Sequence, residues 1–200
     1  MQNKIMAKTP AGFGFSMPAE WEPHEATWLA WPHNPTDWPG KLDSIRWVYT
    51  EIVRKISPGE TVRMLAGSAA QEQLARRYLA RAGADAGRVE FIMHPTNRGW
   101  TRDSGPVFVR RPGETAIVHF HFNAWAKYPD WRKDRRVPEI AAGRLGMQLF
   151  RAKRGARKFV LEGGGIDVNG RGTLITTEEC YLHPTVQVRN PGLGREQFEA

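Results

Sequence analysis

A chain of 200 residues, 40% hydrophobic and 25% charged, is long enough for one large domain or two small ones and has the composition of an ordinary folded protein. Its single cysteine excludes a disulfide framework and a cysteine-based zinc cluster, and no apolar run nears the ~20 residues of a membrane span. The formal net charge of +8 is local: residues 132–158 hold ten Lys or Arg against Asp134 and Glu139, and the remainder balances.

That basic patch allows an RNA-binding face or an acidic partner. No aromatic platform at the spacing of an RNA-recognition motif accompanies it, so a solvated surface is preferred to nucleic acid. The first 16 residues lack the continuous apolar stretch of a signal peptide, which makes the cytoplasm the expected compartment.

In chain order, residues 26–32 read as a buried strand ended by Pro32. Leu42, Ile45, Val48, Ile52 and Ile56 recur at three- and four-residue steps, predicting a helix with that stripe inward, stopped by Ser57-Pro58-Gly59. Residues 61–66 form a strand. Ser68-Ala69-Ala70-Gln71 opens a second helix as a capping box, with Leu74, Tyr78, Leu79 and Ala82 inward and Gly83 at its C-terminal turn. Residues 88–93 are the next strand. Two hairpins follow, 106–109 with 115–122 and 165–168 with 173–176, the second turning at Asn169-Gly170, where both positions tolerate positive φ. Residues 135–145 between them read as helix.

The hairpins resemble each other. Arg102-Asp103-Ser104-Gly105 precedes the first and Leu161-Glu162-Gly163-Gly164 the second. Each acid is followed by small residues, an apolar strand, a glycine turn and a second apolar strand. A repeated hairpin–helix unit predicts modules about a centre, with one acid projecting from an equivalent place in each. A carboxylate beside small residues suits a planar cation, because a guanidinium donates two parallel N–H bonds to it and the charge strengthens both. Trp100 supplies an aromatic wall for such a cation. The alternative at this level is that Asp103 pairs with Arg102 or another arginine and that the glycines only make bulges.

Other reactive side chains carry less. Cys180 follows Glu178 and Glu179, whose charges oppose a thiolate, so a packed cysteine is expected even with His183 three residues on. His119 and His121 share a strand face but have no evident third ligand, and no metal site is expected. His24 reads as a hydrogen-bonded structural histidine before a general base. Five of the eight tryptophans fall within the first 47 residues, for core packing or a cation-binding wall.

Several longer motifs are distinctive together: the run from Met17-Pro18-Ala19-Glu20-Trp21 through Trp31-Pro32, Trp100-Thr101-Arg102-Asp103-Ser104-Gly105-Pro106, Phe122-Asn123-Ala124-Trp125-Ala126-Lys127-Tyr128-Pro129, Leu161-Glu162-Gly163-Gly164-Gly165 through Cys180, and Arg189-Asn190-Pro191. From about Ser16 onward they resemble the agmatine deiminases, in the bacterial-type peptidylarginine deiminase group of the pentein superfamily. The resemblance implies a pentein-type α/β propeller of ββαβ-type modules around a pseudo-fivefold axis, incomplete in this chain, with residues 1–15 an N-terminal extension and 16–200 a partial domain.

It implies hydrolysis of agmatine to N-carbamoylputrescine and ammonia with no cofactor. A cysteine thiolate attacks the guanidinium carbon, and a histidine protonates departing ammonia and then activates water. By motif match Asp103 binds the guanidinium, Trp100 lines the pocket, and Glu162 is the catalytic carboxylate that supports both the histidine and the guanidinium. The family's catalytic histidine and nucleophilic cysteine lie beyond the Arg-Asn-Pro motif, past Ala200, and Cys180 matches a structural position instead. The 200 residues alone are therefore expected not to catalyse the reaction. The implied partners are a small guanidine and either a second copy or the missing C-terminal half, with no membrane. A non-catalytic guanidine-binding fragment and a basic nucleic-acid-binding protein are the rival readings.

Overall fold

The computed structural model describes residues 9–155 and 157–199. They form two compact units, one of residues 23–101 and one of residues up to 22 together with those from 102 onward.

The first unit is a parallel sheet, β1 (Ala26–Ala30), β2 (Thr61–Ala66) and β3 (Val89–Met93), in that spatial order. Parallel neighbours need crossovers, and α1 (Leu42–Ile56) and α2 (Ala69–Arg81) provide them. The register pairs Ala26 with Thr61 and Val62 with Val89. Ser68 caps α2 by accepting the Gln71 N–H, and Gln71 Oε1 accepts the Gly67 N–H in return. Gly83 follows α2 at φ +64°, a conformation that costs glycine nothing. The core is Trp31, Val53, Val62, Met64, Ala75, Leu79 and Val89.

The stripe predicted for α1 is partly corrected. Val48 and Ile52 are 50% and 36% exposed, and the inward face runs through Tyr49, Thr50, Val53 and Ile56. Thr50 is fully buried because its hydroxyl donates to the Arg46 carbonyl (2.7 Å), which removes the penalty that normally keeps a polar residue outside.

The second unit contains a ββαβ arrangement. After the short helix α3 (Thr101–Ser104), which straddles the change of unit, β4 (Val107–Arg111) and β5 (Glu114–His119) form an antiparallel hairpin. Its turn is Pro112-Gly113, with Gly113 at φ +77°. Helix α4 (Val137–Leu145) then carries the chain to β6 (Gln148–Arg151), parallel to β5. A small hairpin follows, β7 (Lys153–Arg154) with β8 (Arg157–Lys158). Next come β9 (Ile166–Val168) and β10 (Leu174–Thr176), α5 (Glu178–Leu182) and α6 (Arg195–Glu199).

The β9–β10 connection is wider than a two-residue Asn169-Gly170 turn. Asn169 Oδ1 accepts both the Arg171 and Thr173 N–H groups (2.8 and 3.1 Å), and the bend is spread over Gly170 and Gly172, both at positive φ. Two apolar clusters hold this unit: Phe15, Val109, Ala116 and Val118, and then Leu161, Ile166 and Tyr181. An open apolar groove of about 680 Å³, lined by Phe15, Phe120, Phe150, Phe159 and Leu174, lies on it. None of the described helices is long and apolar enough to cross a membrane.

Candidate functional site

The two acids singled out by the repeat come together. Asp103 sits on α3 just before β4, and Glu162 sits just before the 3₁₀ turn Gly163–Gly165 that leads into β9. The Gly164 N–H and the Trp125 indole donate to the Asp103 carboxylate, and the negative charge of Asp103 is felt at Glu162. Three glycines make the approach possible. A Cβ on Gly163 would lie 2.6 Å from the Arg102 carbonyl oxygen, one on Gly164 2.0 Å from Asp103 Oδ1, and one on Gly165 2.1 Å from Tyr181 Oη. The glycine run lets one acid-bearing bend press against the other, which is more than a bulge requires.

Glu162 is 3% exposed and fixed at several points. The Tyr181 hydroxyl donates to its carbonyl (3.0 Å) and accepts its N–H (3.1 Å). Arg189 Nε donates to Oε1 (3.2 Å). Two residues upstream, Asn190 closes on Val160 as a strand partner would: Oδ1 accepts the Val160 N–H (2.9 Å) and Nδ2 donates to its carbonyl (3.0 Å). The Arg-Asn pair thus holds the side chain of 162 and the backbone of 160. Tyr181→Phe keeps the ring stacked on Phe198 but strips both backbone bonds from Glu162. It is expected to cost about 2 kcal/mol, read as a lower urea midpoint at unchanged slope.

Trp125 reaches Asp103 from an unusual turn. Ala124, Trp125 and Ala126 all have left-handed backbone, at φ +49°, +60° and +51°. Asn123 braces them, accepting the Ala126 N–H (3.1 Å) and donating to the Arg189 carbonyl (3.3 Å). The indole also meets Phe122 edge-on at 5.3 Å.

Electrostatics follow from this packing. Burial pushes the Asp103 carboxyl above the ordinary aspartate range, against the pull of Arg102, the Gly164 N–H, Arg189 and the indole. Burial likewise raises Glu162, with Arg189 opposing and Asp103 adding to the rise. Burial drives the Tyr181 hydroxyl up strongly, so it stays protonated and able to donate. Arg102 turns its own guanidinium to Glu20. Two close carboxylates, half-buried and buried, present a strong attraction to a flat cation donating N–H bonds.

Trp100, in the first unit, packs on Trp38 at 5.2 Å and is 38% exposed. Cys180 is half-buried on α5 and packs against the Leu161, Ile166 and Tyr181 cluster. His119 lies 3.7 Å from Glu139, and burial lowers its pKa. His121, edge-on to Trp131, is lowered to about 4 by burial and by Lys158 and Arg135. Among the described residues, no three of His, Cys, Asp and Glu meet in a group able to hold a metal ion. His24 is exposed near Glu60. In the basic stretch Asp134 is buried, Arg132 and Arg135 stack on Trp131, and Glu139 pairs with Arg151. Tyr181, Trp125 and Arg189 are the site residues that sequence reasoning misses as contacts. The only signal for Trp125 and Arg189 is membership of the quoted motifs, and Tyr181 lies one residue past the motif that ends at Cys180.

Comparison with known proteins gives the same picture. The family model for Porphyromonas-type peptidyl-arginine deiminase matches residues 16–200. An agmatine deiminase of Ectopseudomonas mendocina is 37% identical over 98% of this chain and 51% of its own length, and one of Stutzerimonas stutzeri is 38% identical over 98% and 51%. Among solved structures, agmatine deiminase of Enterococcus faecalis superposes with a TM-score of 0.84 at 33% identity, over 96% of this chain and 50% of that one. A substrate-bound C315S agmatine deiminase of C. jejuni gives 0.77 at 28%, over 92% and 51%. The chain therefore spans about half the length of the relatives it matches, and it carries that portion of their α/β fold with mixed sheets. With the motifs, the fold and the family match in agreement, the chain belongs to the Porphyromonas-type peptidyl-arginine deiminase family.

Proposed function

We propose that this chain carries the carboxylate half of a guanidine site in an agmatine deiminase-like hydrolase, the protein to which it contributes converting agmatine to N-carbamoylputrescine and ammonia. The observation that carries the reading is the meeting of Asp103 with Glu162 across the glycine run. Asp103 binds the guanidinium, Glu162 supports the bound guanidinium and the catalytic histidine, and Trp100 is the aromatic wall. The reaction runs through attack of a cysteine thiolate on the guanidinium carbon, loss of ammonia and hydrolysis of the amidino-thioether by water. Cys180 is a packing residue in this reading, so the 200 residues bind the substrate without turning it over. Residues 16–200 are the deiminase portion.

Calorimetric titration of the chain with agmatine, alongside an assay for ammonia and N-carbamoylputrescine, tests the proposal. The expected result is saturable binding, competed by free guanidinium and strongly weakened in Asp103→Asn, with no product. Product formation abolished by Cys180→Ala overturns the assignment of that thiol. Absence of binding overturns the guanidine site.

A further inference from the structure

We infer that Arg189 is a positioning residue that holds Glu162 in its charged, guanidinium-accepting form and sets the net charge the site offers to its ligand. The inference rests on the guanidine site proposed above and adds a residue to it.

The geometry is specific. Arg189 is 27 residues from Glu162 in the chain, yet its Nε lies 3.2 Å from Oε1, with side chains 9% and 3% exposed. Its guanidinium is tied at the other end: Nη1 donates to the Gln187 carbonyl (3.1 Å) and to Gln187 Oε1 (3.3 Å). Gln187 itself sits at φ +45°, a conformation a non-glycine residue adopts at a cost. The Asn123 amide fixes the Arg189 carbonyl from the turn that carries Trp125. The cation is therefore held between Gln187 and one carboxylate, with its own backbone pinned by Asn123.

A purely mechanical brace does not need charge, and the neighbouring Asn190 shows as much by clamping Val160 with a neutral amide. Arg189 does something an amide does not. A carboxylate this buried takes up a proton unless a cation accompanies it. The charged groups facing Glu162 are Arg189 and Asp103, with the Tyr181 hydroxyl on its backbone. Those facing Asp103 are Arg102, Arg189, the Trp125 indole and the Gly164 N–H. Arg102 is shared with Glu20. Two carboxylates and one dedicated arginine leave one net negative charge, the complement of one guanidinium. Without Arg189 the two acids would repel, and one would protonate and cease to accept N–H bonds on both oxygens.

The test is a carboxyl ¹³C NMR titration of the whole chain without ligand, in wild type, Arg189→Gln and Arg189→Lys, with the amide spectrum as the check on folding. The Glu162 midpoint is expected to rise by about one pH unit or more in Arg189→Gln and to stay closer to wild type in Arg189→Lys. Arg189→Met preserves the buried stem and carries the same expectation as Gln, so a Gln variant that does not fold leaves the test intact. An unmoved midpoint in the neutral variant, or equal displacement by Gln and Lys, overturns the inference. With agmatine present, the neutral variant is expected to bind at least about tenfold more weakly at pH 7 and to recover as the pH passes the displaced midpoint. A wild-type chain that ignores agmatine removes the guanidine reading, while the ligand-free titration decides separately what Arg189 does to Glu162.

Discussion

Gly164→Ala is expected to abolish agmatine binding and to destabilise the chain by about 3 kcal/mol. The added methyl would lie 2.0 Å from Asp103 Oδ1 and 3.2 Å from its Cγ. Neither atom is the far end of a long flexible side chain. The carboxylate is held in place by the Gly164 N–H and the Trp125 indole, so it has little room to retreat. Relief requires the two bends to part, and parting them separates Asp103 from Glu162. The contrast is Gly143→Ala in α4, where a Cβ meets nothing within 4 Å. There the gain in helix propensity is expected to raise stability by up to ~1 kcal/mol and to leave ligand binding alone. Urea unfolding and calorimetry on both variants check the pair. Equal behaviour of the two would show that residues 163–165 are an ordinary loop.

Asp103→Asn separates binding from stability. Loss of the charged acceptor is expected to weaken agmatine on the order of 100-fold, since hydrogen bonds between ionised partners are the strong ones. Stability should move the other way with pH. The folded-state pKa of Asp103 is raised, with burial the leading cause, so the folded chain holds its proton at pH values where the unfolded chain has released it. Its contribution to stability is whole below the ordinary aspartate value. It is lost as pH climbs through the raised one. The asparagine variant does not titrate. The stability difference should therefore swing toward the variant as pH rises from the ordinary aspartate value through the raised one. Melting curves at pH 3.5 and 7.5 test this: a gap that moves toward wild type with rising pH would mean Asp103 is a stabilising ion-pair partner and not a strained ligand. A site that gains stability when its charge is removed has been arranged for binding at the expense of the fold.

The sequence is informative where one local rule decides. Strands β2 and β3 are apolar runs bounded by turn residues, and α2 begins at its capping box and ends at Gly83. The inward face of α1 is not readable from polarity, because the Thr50 hydroxyl finds the Arg46 carbonyl on its own helix. The width of the β9–β10 loop is hidden for a related reason: Asn169 bonds two backbone amides beyond the residue after it. At the site, the repeat locates both acids and the glycine run signals a close approach. The partner in that approach, and the grip of Tyr181 and Arg189 on Glu162, are long-range facts. Neither periodicity nor spacing encodes a contact between 162 and 189. The Arg-Asn-Pro motif marks the place without stating the job.

The turn at Ala124–Ala126 has a consequence for how the site tolerates change. Left-handed backbone costs an L-residue about 1–2 kcal/mol at each position, and three such residues stand in a row. The segment resembles a wound spring whose catch is the Asn123 side chain. Release of that catch would let the segment unwind toward a right-handed course and draw the indole N–H away from its carboxylate. Branched side chains at 124 or 126 would add to the tension, so drift at these two positions is confined to glycine, alanine and the few residues at ease in that geometry. The reach of one tryptophan toward a half-buried carboxylate is thereby written into the permitted alphabet of its neighbours.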